Sequence, residues 1–280
     1  MAKKNRDIRN RNDAYYLSAV DPFHVVMPYV MPGRTANEAV MATEVDLKAV
    51  QEYIDARNAE NPDFKYTVFH CVCAALAKTM YLRPKMNWFI SNYRMYEHRE
   101  IQIAFVIKRE FDEKGAEALV KLIVDPAKSA IGQVHDFVKA KVRKVRGTSG
   151  KEGIDRAFNL YSHLPRPVFR FFVWLLRCMD YFGFYPKSLA TGDPCYSSCF
   201  LTNLGSIGMK ADYHHLFNWG TCSVFMIISQ IKDGKLPLSF TVDERVADGF
   251  YYMKCIKLME YLLQHPALLE ESIEVPVDMD

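Results

Sequence analysis

Four charged side chains fall within six consecutive positions near the C-terminal end of the chain: Asp243, Glu244, Arg245 and Asp248. An alternating apolar pattern typical of a strand precedes them, and Gly249 and a helical pattern follow. Carboxylates beside a cation can perform acid–base chemistry, but they can equally form a solvated, salt-bridged turn. A purely structural connection would need only turn residues. This charged corner is therefore the first candidate for a functional site, and the residue types alone leave both interpretations open.

The second group with acid–base character is a pair of neighbouring histidines, His214 and His215, in the run D-Y-H-H-L-F-N-W-G. An imidazole there could act as a base at a nearby site. Alternatively, both rings could be satisfied in a loop or at a subunit contact. The sequence leaves these two interpretations open.

The seven cysteines are an odd number and are scattered through apolar segments, which is typical of buried free thiols in a reducing compartment. Cys71-x-Cys73 and Cys195-x-x-x-Cys199 are weak metal signals, and buried small side chains explain both spacings better. We therefore expect no metal site.

Composition indicates an ordinary globular protein, since half of the residues are hydrophobic and a quarter are charged. The formal charge of +3 is too small to argue for a nucleic-acid partner, and no zinc-finger, RNP or P-loop pattern is present. Basic residues at the N-terminus are not followed by an apolar core, so they do not form a secretory signal. We expect a cytoplasmic protein.

The chain divides, on these patterns, into an irregular N-terminal arm (1–37) and one domain (38–280). Strands are predicted over 38–46, 88–96, 101–107, 119–124, 198–202, 223–231 and 236–242, and helices over 47–58, 67–82, 129–146 and 250–264. Asp233-Gly234 is a strong hairpin signal between the last two strands.

The helix 129–146 ends in five basic residues without an acidic neighbour in sequence. They indicate either a solvated helix end or an anion site: Lys139, Lys141, Arg143, Lys144 and Arg146.

An insertion over 148–194, helical near 154–190, interrupts this pattern. Its part 164–185 is densely apolar and aromatic, but Arg170, Arg177 and Asp180 break an apolar run shorter than about 18 residues, so we expect no membrane span. Such a helix could pack on its own protein or on a subunit partner. It could also lie as an amphipathic helix on a membrane surface.

Two motifs together resemble a known family. They are residues 202–208, T-N-L-G-S-I-G, and residues 243–249, D-E-R-V-A-D-G. The chain resembles the chloramphenicol acetyltransferase superfamily, and more closely the catalytic domain of dihydrolipoamide acyltransferases. That family carries a T-I-S/T-N-L-G-S-I-G segment followed by D-H-R-V-x-D-G. The similarity covers roughly 38–146 and 196–270 in the family's order, including P-A-L-L after the last helix.

The resemblance implies a two-layer α/β sandwich of a mixed β-sheet and helices. It also implies a homotrimer in which the thiol of coenzyme A or of an acyl carrier enters a channel at the subunit interface. In the family, the motif histidine acts as general base, and a Ser or Thr hydroxyl from across the interface stabilises the oxyanion. By position, Thr202 matches that hydroxyl, Asp248 matches the structural aspartate beside Gly249, and Arg245 matches the motif arginine. Asn203 follows Thr202 in the same motif.

Two arginines, Arg34 and Arg245, are the expected partners of Asp248, because a buried carboxylate needs a cation or several N–H donors. We expect that pairing to be architectural.

The chain departs from the family at the catalytic base, where Glu244 replaces histidine. As a residue type, glutamate has a pKa about two units below that of histidine, so it is a poorer base toward a thiol by roughly 3 kcal/mol. Two hypotheses follow. The protein is either a thioester-dependent acyltransferase using Glu244, with His214 or His215, or a non-catalytic trimeric module for binding or scaffolding. No lipoyl-bearing domain is recognisable ahead of residue 38, so we expect a stand-alone form. The acyl donor and acceptor stay open.

Overall fold

The structure, a computed structural model, describes residues 7–108, 117–147 and 163–279. Nine strands lie in these ranges: β1 (Ala14–Tyr16), β2 (Glu38–Asp46), β3 (Trp88–Ser91), β4 (Arg94–His98), β5 (Gln102–Lys108), β6 (Glu117–Ile123), β7 (Cys199–Asn203), β8 (Val224–Ile228) and β9 (Lys235–Asp243). Seven α-helices accompany them: α1 (Pro22–Val30), α2 (Lys48–Ala59), α3 (Val68–Leu82), α4 (Ala130–Gly147), α5 (Arg166–Tyr181), α6 (Lys187–Gly192) and α7 (Gly249–Gln264).

A six-stranded mixed sheet in the order β2-β9-β8-β7-β5-β6 forms one layer. β7 runs parallel to both β5 and β8, and the remaining pairs are antiparallel. Helices α2, α3, α4 and α7 cover one face of the sheet and share its main apolar core. The predicted α/β sandwich is therefore confirmed.

Alternation along the central strands sends side chains to two faces. Leu201 and Met226 enter the core beneath the helices, whereas Phe200 and Phe225 point to the opposite face and stack on each other at 5.1 Å. The two-residue period of a strand is the cause. The sheet therefore has a second apolar face, partly covered by the loop that follows β7.

Local sequence signals explain the central helix and the last hairpin. The Thr67 hydroxyl and the His70 ring form a reciprocal capping box that begins α3. Asp233 and Gly234 both have positive φ, at 51° and 74°, as a tight hairpin turn requires. The predicted helix 67–82 and the predicted hairpin are confirmed.

Two predicted elements are wrong. The strand predicted over 88–96 is a hairpin of β3 and β4, because Asn92 and Tyr93 adopt left-handed φ values of 49° and 55° and reverse the chain. The arm predicted to be irregular contains β1, which pairs with β4, and the helix α1. Pro22 occupies the first turn of α1, where its missing N–H costs nothing, so a Pro-rich composition did not exclude a helix.

The insertion holds α5 and α6, while 148–162 lies outside the described residues. No side chain of α5 is fully buried, but Val173, Leu176 and Met179 are half-buried. Asp180 at the end of the helix pairs with the buried Arg11 at 2.8 Å, so the segment packs on its own chain only in part. A search of the described helices finds none long and apolar enough to cross a membrane.

Two of the five basic residues near the end of α4 pair with an acidic residue of another segment, while the side chain of Arg146 lies outside the described part of the chain. Asp63 lies 3.0 Å from Lys139 Nζ and 2.6 Å from Arg143 Nη2, and these bonds lower the pKa of its carboxyl. Although no acidic residue is near these basic residues in the sequence, the fold brings Asp63 next to two of them. This pairing favours the solvated-helix interpretation over an anion site.

Candidate functional site

The charged corner joins β9, which ends at Asp243, to α7, which begins at Gly249. Asp248 is exposed and caps α7, since its carboxylate accepts a hydrogen bond of 2.8 Å from the Tyr251 N–H. A side chain that caps a helix is satisfied without a cation. The expected pairing of a buried Asp248 with Arg34 or Arg245 is therefore wrong.

The buried carboxylate of the corner belongs to Asp243, whose side chain is completely shielded from solvent. Arg245 binds it with two charge-assisted hydrogen bonds, from Nε at 2.8 Å and from Nη2 at 2.7 Å. Arg34 Nε lies 3.9 Å from the same carboxylate. Its Nη1 and Nη2 donate to the carbonyls of Phe217 and Gly220, and burial lowers the pKa of this guanidinium. Both predicted arginines therefore hold Asp243.

Glu244 stands exposed between these buried neighbours. Its backbone N–H donates to the carbonyl of Asn37 at 3.1 Å, which fixes the main chain. Its carboxylate makes no hydrogen bond or ion pair within the described part of the chain, so it points outward from a rigid support. A Cβ at Gly249 would meet nothing within 4 Å, so the space beside this corner is open.

Thr202 is half-buried on β7. It lies beside Ile227 of β8, which in turn lies beside Ser239 of β9. Glu244 is five residues beyond Ser239, a separation of roughly 17 Å at about 3.3 Å per strand residue. Thr202 and the charged corner therefore occupy opposite ends of the sheet within one chain.

Asn203 shapes the turn after Thr202, because its side-chain oxygen accepts from the Ser206 N–H at 3.2 Å. Gly205 is required there, since a Cβ would come within 2.5 Å of the Ser229 carbonyl oxygen. The glycine-containing motif thus reflects a close approach of two backbones.

His214 and His215 are held in the loop over the second face of the sheet. The His214 ring is half-buried and stacks on Phe225 at 3.9 Å between centroids. Its Nδ1–H donates to the His215 carbonyl at 2.7 Å, and His215 donates similarly to the Leu216 carbonyl at 2.8 Å. Among the contacts that the structure describes, neither ring reaches Glu244. This arrangement favours the loop role over a catalytic one.

The imidazole nearest the charged corner comes from α1. His24 Nδ1 lies 3.0 Å from the backbone carbonyl oxygen of Arg245, the residue directly after Glu244. Sequence reasoning missed His24 because 221 residues separate the two partners. The isolated histidine in a Pro-rich arm carried no signal of this contact.

A cleft of about 320 Å³ opens beside the corner. Its walls come from the end of α1, the β3–β4 turn, the end of α5 and the loop at 217–220, and Arg34 and Arg245 form part of its floor. Tyr93, stacked on Tyr29 at 4.9 Å, lines its rim. The cleft thus combines aromatic surfaces with cations, a lining suited to a small polar ligand.

Other titratable groups have structural roles. Burial lowers the pKa of His70 and of His98 to about 4, so both rings are neutral at pH 7. All seven cysteines are free, and burial raises the pKa of Cys71, Cys73 and Cys255 to about 12, which makes them poor nucleophiles. In the described ranges, no group of three or more His, Cys, Asp or Glu side chains is arranged to hold a metal ion.

No sequence-family model matches the chain, and no curated protein sequence matches it. Solved structures match over most of its length. A probable dihydrolipoamide acetyltransferase from Listeria monocytogenes 4b F2365 is 14% identical, with a TM-score of 0.56 over 89% of this chain and 94% of that one. The Azotobacter vinelandii dihydrolipoamide acetyltransferase is 16% identical, with a TM-score of 0.56 over 88% of each chain. A chloramphenicol acetyltransferase is 11% identical, with a TM-score of 0.59 over 89% of this chain and 99% of that one. The chain therefore has the fold that its two motifs predicted.

Proposed function

We propose that this protein is a thioester-dependent acyltransferase, which moves an acyl group between the thiol of coenzyme A or of an acyl carrier and a small acceptor. The charged corner carries this proposal, because it holds an exposed position on the rigid support of the buried Asp243 and Arg245. A structural turn would not need a buried Asp243–Arg245 pair beneath a solvated side chain, nor an arginine of that pair lining a cleft.

Positions in a structural neighbour support the same site. The Azotobacter vinelandii enzyme is described through the roles of a serine, a histidine and an asparagine in its catalytic mechanism, the last two lying four residues apart. Glu244 and Asp248 have that spacing here. Thr202, a hydroxyl residue on the strand ahead of them, corresponds to the serine in residue type.

The chemistry needs one base and one hydrogen-bond donor. The acceptor's thiol or hydroxyl attacks the thioester carbonyl while a base at the charged corner takes its proton. Thr202 donates a hydrogen bond to the oxygen that becomes negative in the tetrahedral intermediate. The intermediate then expels the thiolate, which recovers the proton, so that one acyl bond forms as the thioester bond breaks.

The site requires a second copy of the chain. Because Thr202 and Glu244 lie at opposite ends of one sheet, a site that uses both must take them from different subunits. We propose the homotrimer that the resemblance implies, with coenzyme A or a carrier thiol entering at the interface.

Thiol release from a series of acyl-coenzyme A donors tests the function. Thr202→Ala should lower kcat by about 10²–10³-fold with little change in KM, because one oxyanion donor is lost. Thr202→Ser, which keeps the hydroxyl, should retain most of the activity. No thiol release with any donor from folded wild-type protein would exclude the enzyme.

The replaced motif histidine favours a second candidate function, a non-catalytic binding or scaffolding module. Calorimetry with coenzyme A separates the two. Binding without turnover supports the module, whereas neither binding nor turnover excludes both.

A further inference from the structure

We propose that His24 supplies the general base of this site, from α1 and in place of the missing motif histidine. This inference rests on the proposed acyltransferase function. It starts from the contact of 3.0 Å between His24 Nδ1 and the Arg245 carbonyl oxygen, one residue beyond the position of the replaced base.

The contact fixes the tautomer of the neutral ring. A carbonyl oxygen can only accept a hydrogen bond, so Nδ1 carries the proton and Nε2 carries the lone pair. Within the described part of the chain, no hydrogen bond occupies Nε2. The ring is only half-buried, so this nitrogen is available to an incoming group. A base oriented through its other ring nitrogen is what proton abstraction requires.

Arg245 makes hydrogen bonds with α1 at two points, and these contacts fix the position of His24. Its carbonyl accepts from His24 near the start of the helix, and its Nη1 donates to the Met31 carbonyl just beyond the end at 3.1 Å. Asn37 also donates to the Met31 carbonyl, at 3.1 Å. Because Arg245 is itself locked onto Asp243, the imidazole rests on a rigid support.

The start of α1 is fixed locally as well. Asp21 caps the helix by accepting from the Phe23 N–H at 2.9 Å, and Pro22 occupies the first turn. His24 therefore lies in an ordered first turn.

His24 Nε2 takes the proton from the attacking thiol or hydroxyl, whose sulfur or oxygen forms the new bond to the acyl carbon. The thioester C–S bond then breaks, and the proton passes from the imidazolium to the departing thiolate. Glu244 is not needed as the proton acceptor.

His24→Asn is the decisive variant, because the asparagine Nδ2–H can replace Nδ1–H toward the Arg245 carbonyl while no basic nitrogen remains. We expect thiol release to fall by about 10²-fold or more, with unchanged oligomer size and melting temperature. Imidazole added to His24→Ala should restore part of the activity. Glu244→Gln should have a much smaller effect than His24→Asn.

His265→Asn is the matched control, since His265 is exposed and its Nδ1 also donates to a backbone carbonyl, that of Tyr261, at 2.9 Å. It should retain full activity. An active His24→Asn variant would overturn the role of His24 and leave the acyltransferase function intact. Wild-type protein without turnover would instead overturn the function, and the base with it.

Discussion

The carboxylate of Asp243 is the electrostatic centre of the charged corner. It is fully buried, accepts two hydrogen bonds from Arg245 and lies close to Arg34. Removing one partner of a buried ion pair leaves the other charge without compensation, which costs more than the pair itself contributes. The geometry of the exposed Glu244 therefore depends on its buried neighbours.

We expect Asp243→Asn to lower the free energy of unfolding by about 3–5 kcal/mol, because it leaves the buried Arg245 and Arg34 without their counter-charge. Denaturant unfolding measures the effect. Asp248→Asn is the matched control and should change stability by only a few tenths of a kcal/mol, since asparagine caps a helix about as well as aspartate. A larger loss at Asp248 than at Asp243 would contradict this assignment of the ion pair.

At the scale of elements, α5 is the unexplained part of the fold. Its side chains form an exposed aromatic surface, with Phe171 and Trp174 stacked at 5.7 Å. The end of the helix is nevertheless fixed, because Asp180 accepts from the buried Arg11 at 2.8 Å. Arg170 and Arg177 interrupt this surface, but exposed aromatic side chains in contact with one another are typical of an interaction surface. The proposed site takes Thr202 and the charged corner from different subunits, so we propose that a second copy of the chain covers this surface.

We expect the double substitution Phe171→Glu and Trp174→Glu to weaken the oligomer, because it places two charges in an apolar contact. Light scattering over a range of protein concentrations measures the assembly. Ile231→Glu, at an exposed apolar residue of the β8–β9 hairpin, should leave it unchanged. An unchanged oligomer combined with loss of binding to anionic lipid vesicles would assign the α5 surface to a membrane instead.

At the scale of the whole molecule, the proposed site would be divided between two chains. The strand register places Thr202 and the corner at opposite ends of the sheet, so a single chain would not complete the proposed site. Activity should therefore depend on assembly.

Mixing two inactive variants tests that division. Thr202→Ala and His24→Asn subunits, denatured and refolded together in equal amounts, should recover about one quarter of wild-type activity. The reason is that one site in four then combines an intact corner with an intact hydroxyl from a different subunit in a cyclic trimer. Each variant refolded alone is the control. No recovery in mixed oligomers would mean that both groups act within one chain.

The sequence by itself determined the elements that depend on local residue patterns. Helix α3 follows from its apolar period and its Thr67 cap, the β8–β9 hairpin follows from Asp233-Gly234, and two motifs with family-like spacing identified the fold. The prediction of one strand over Trp88–Tyr96 was wrong because the left-handed turn at Asn92 contains no glycine that would have indicated it. The helix in the arm was missed because proline is compatible with a first turn.

Only the tertiary structure decided which charges meet. The D-x-x-x-x-D spacing of Asp243 and Asp248 does not say which carboxylate is buried. Asp243 ends a buried strand beside Arg34, more than 200 residues away, whereas Asp248 caps the helix that follows. The contact of His24 with the Arg245 carbonyl spans 221 residues. Such pairings arise from chain packing rather than from local preference. The sequence therefore located the corner, and the packing of α1 against it supplied the imidazole that the motif lacks.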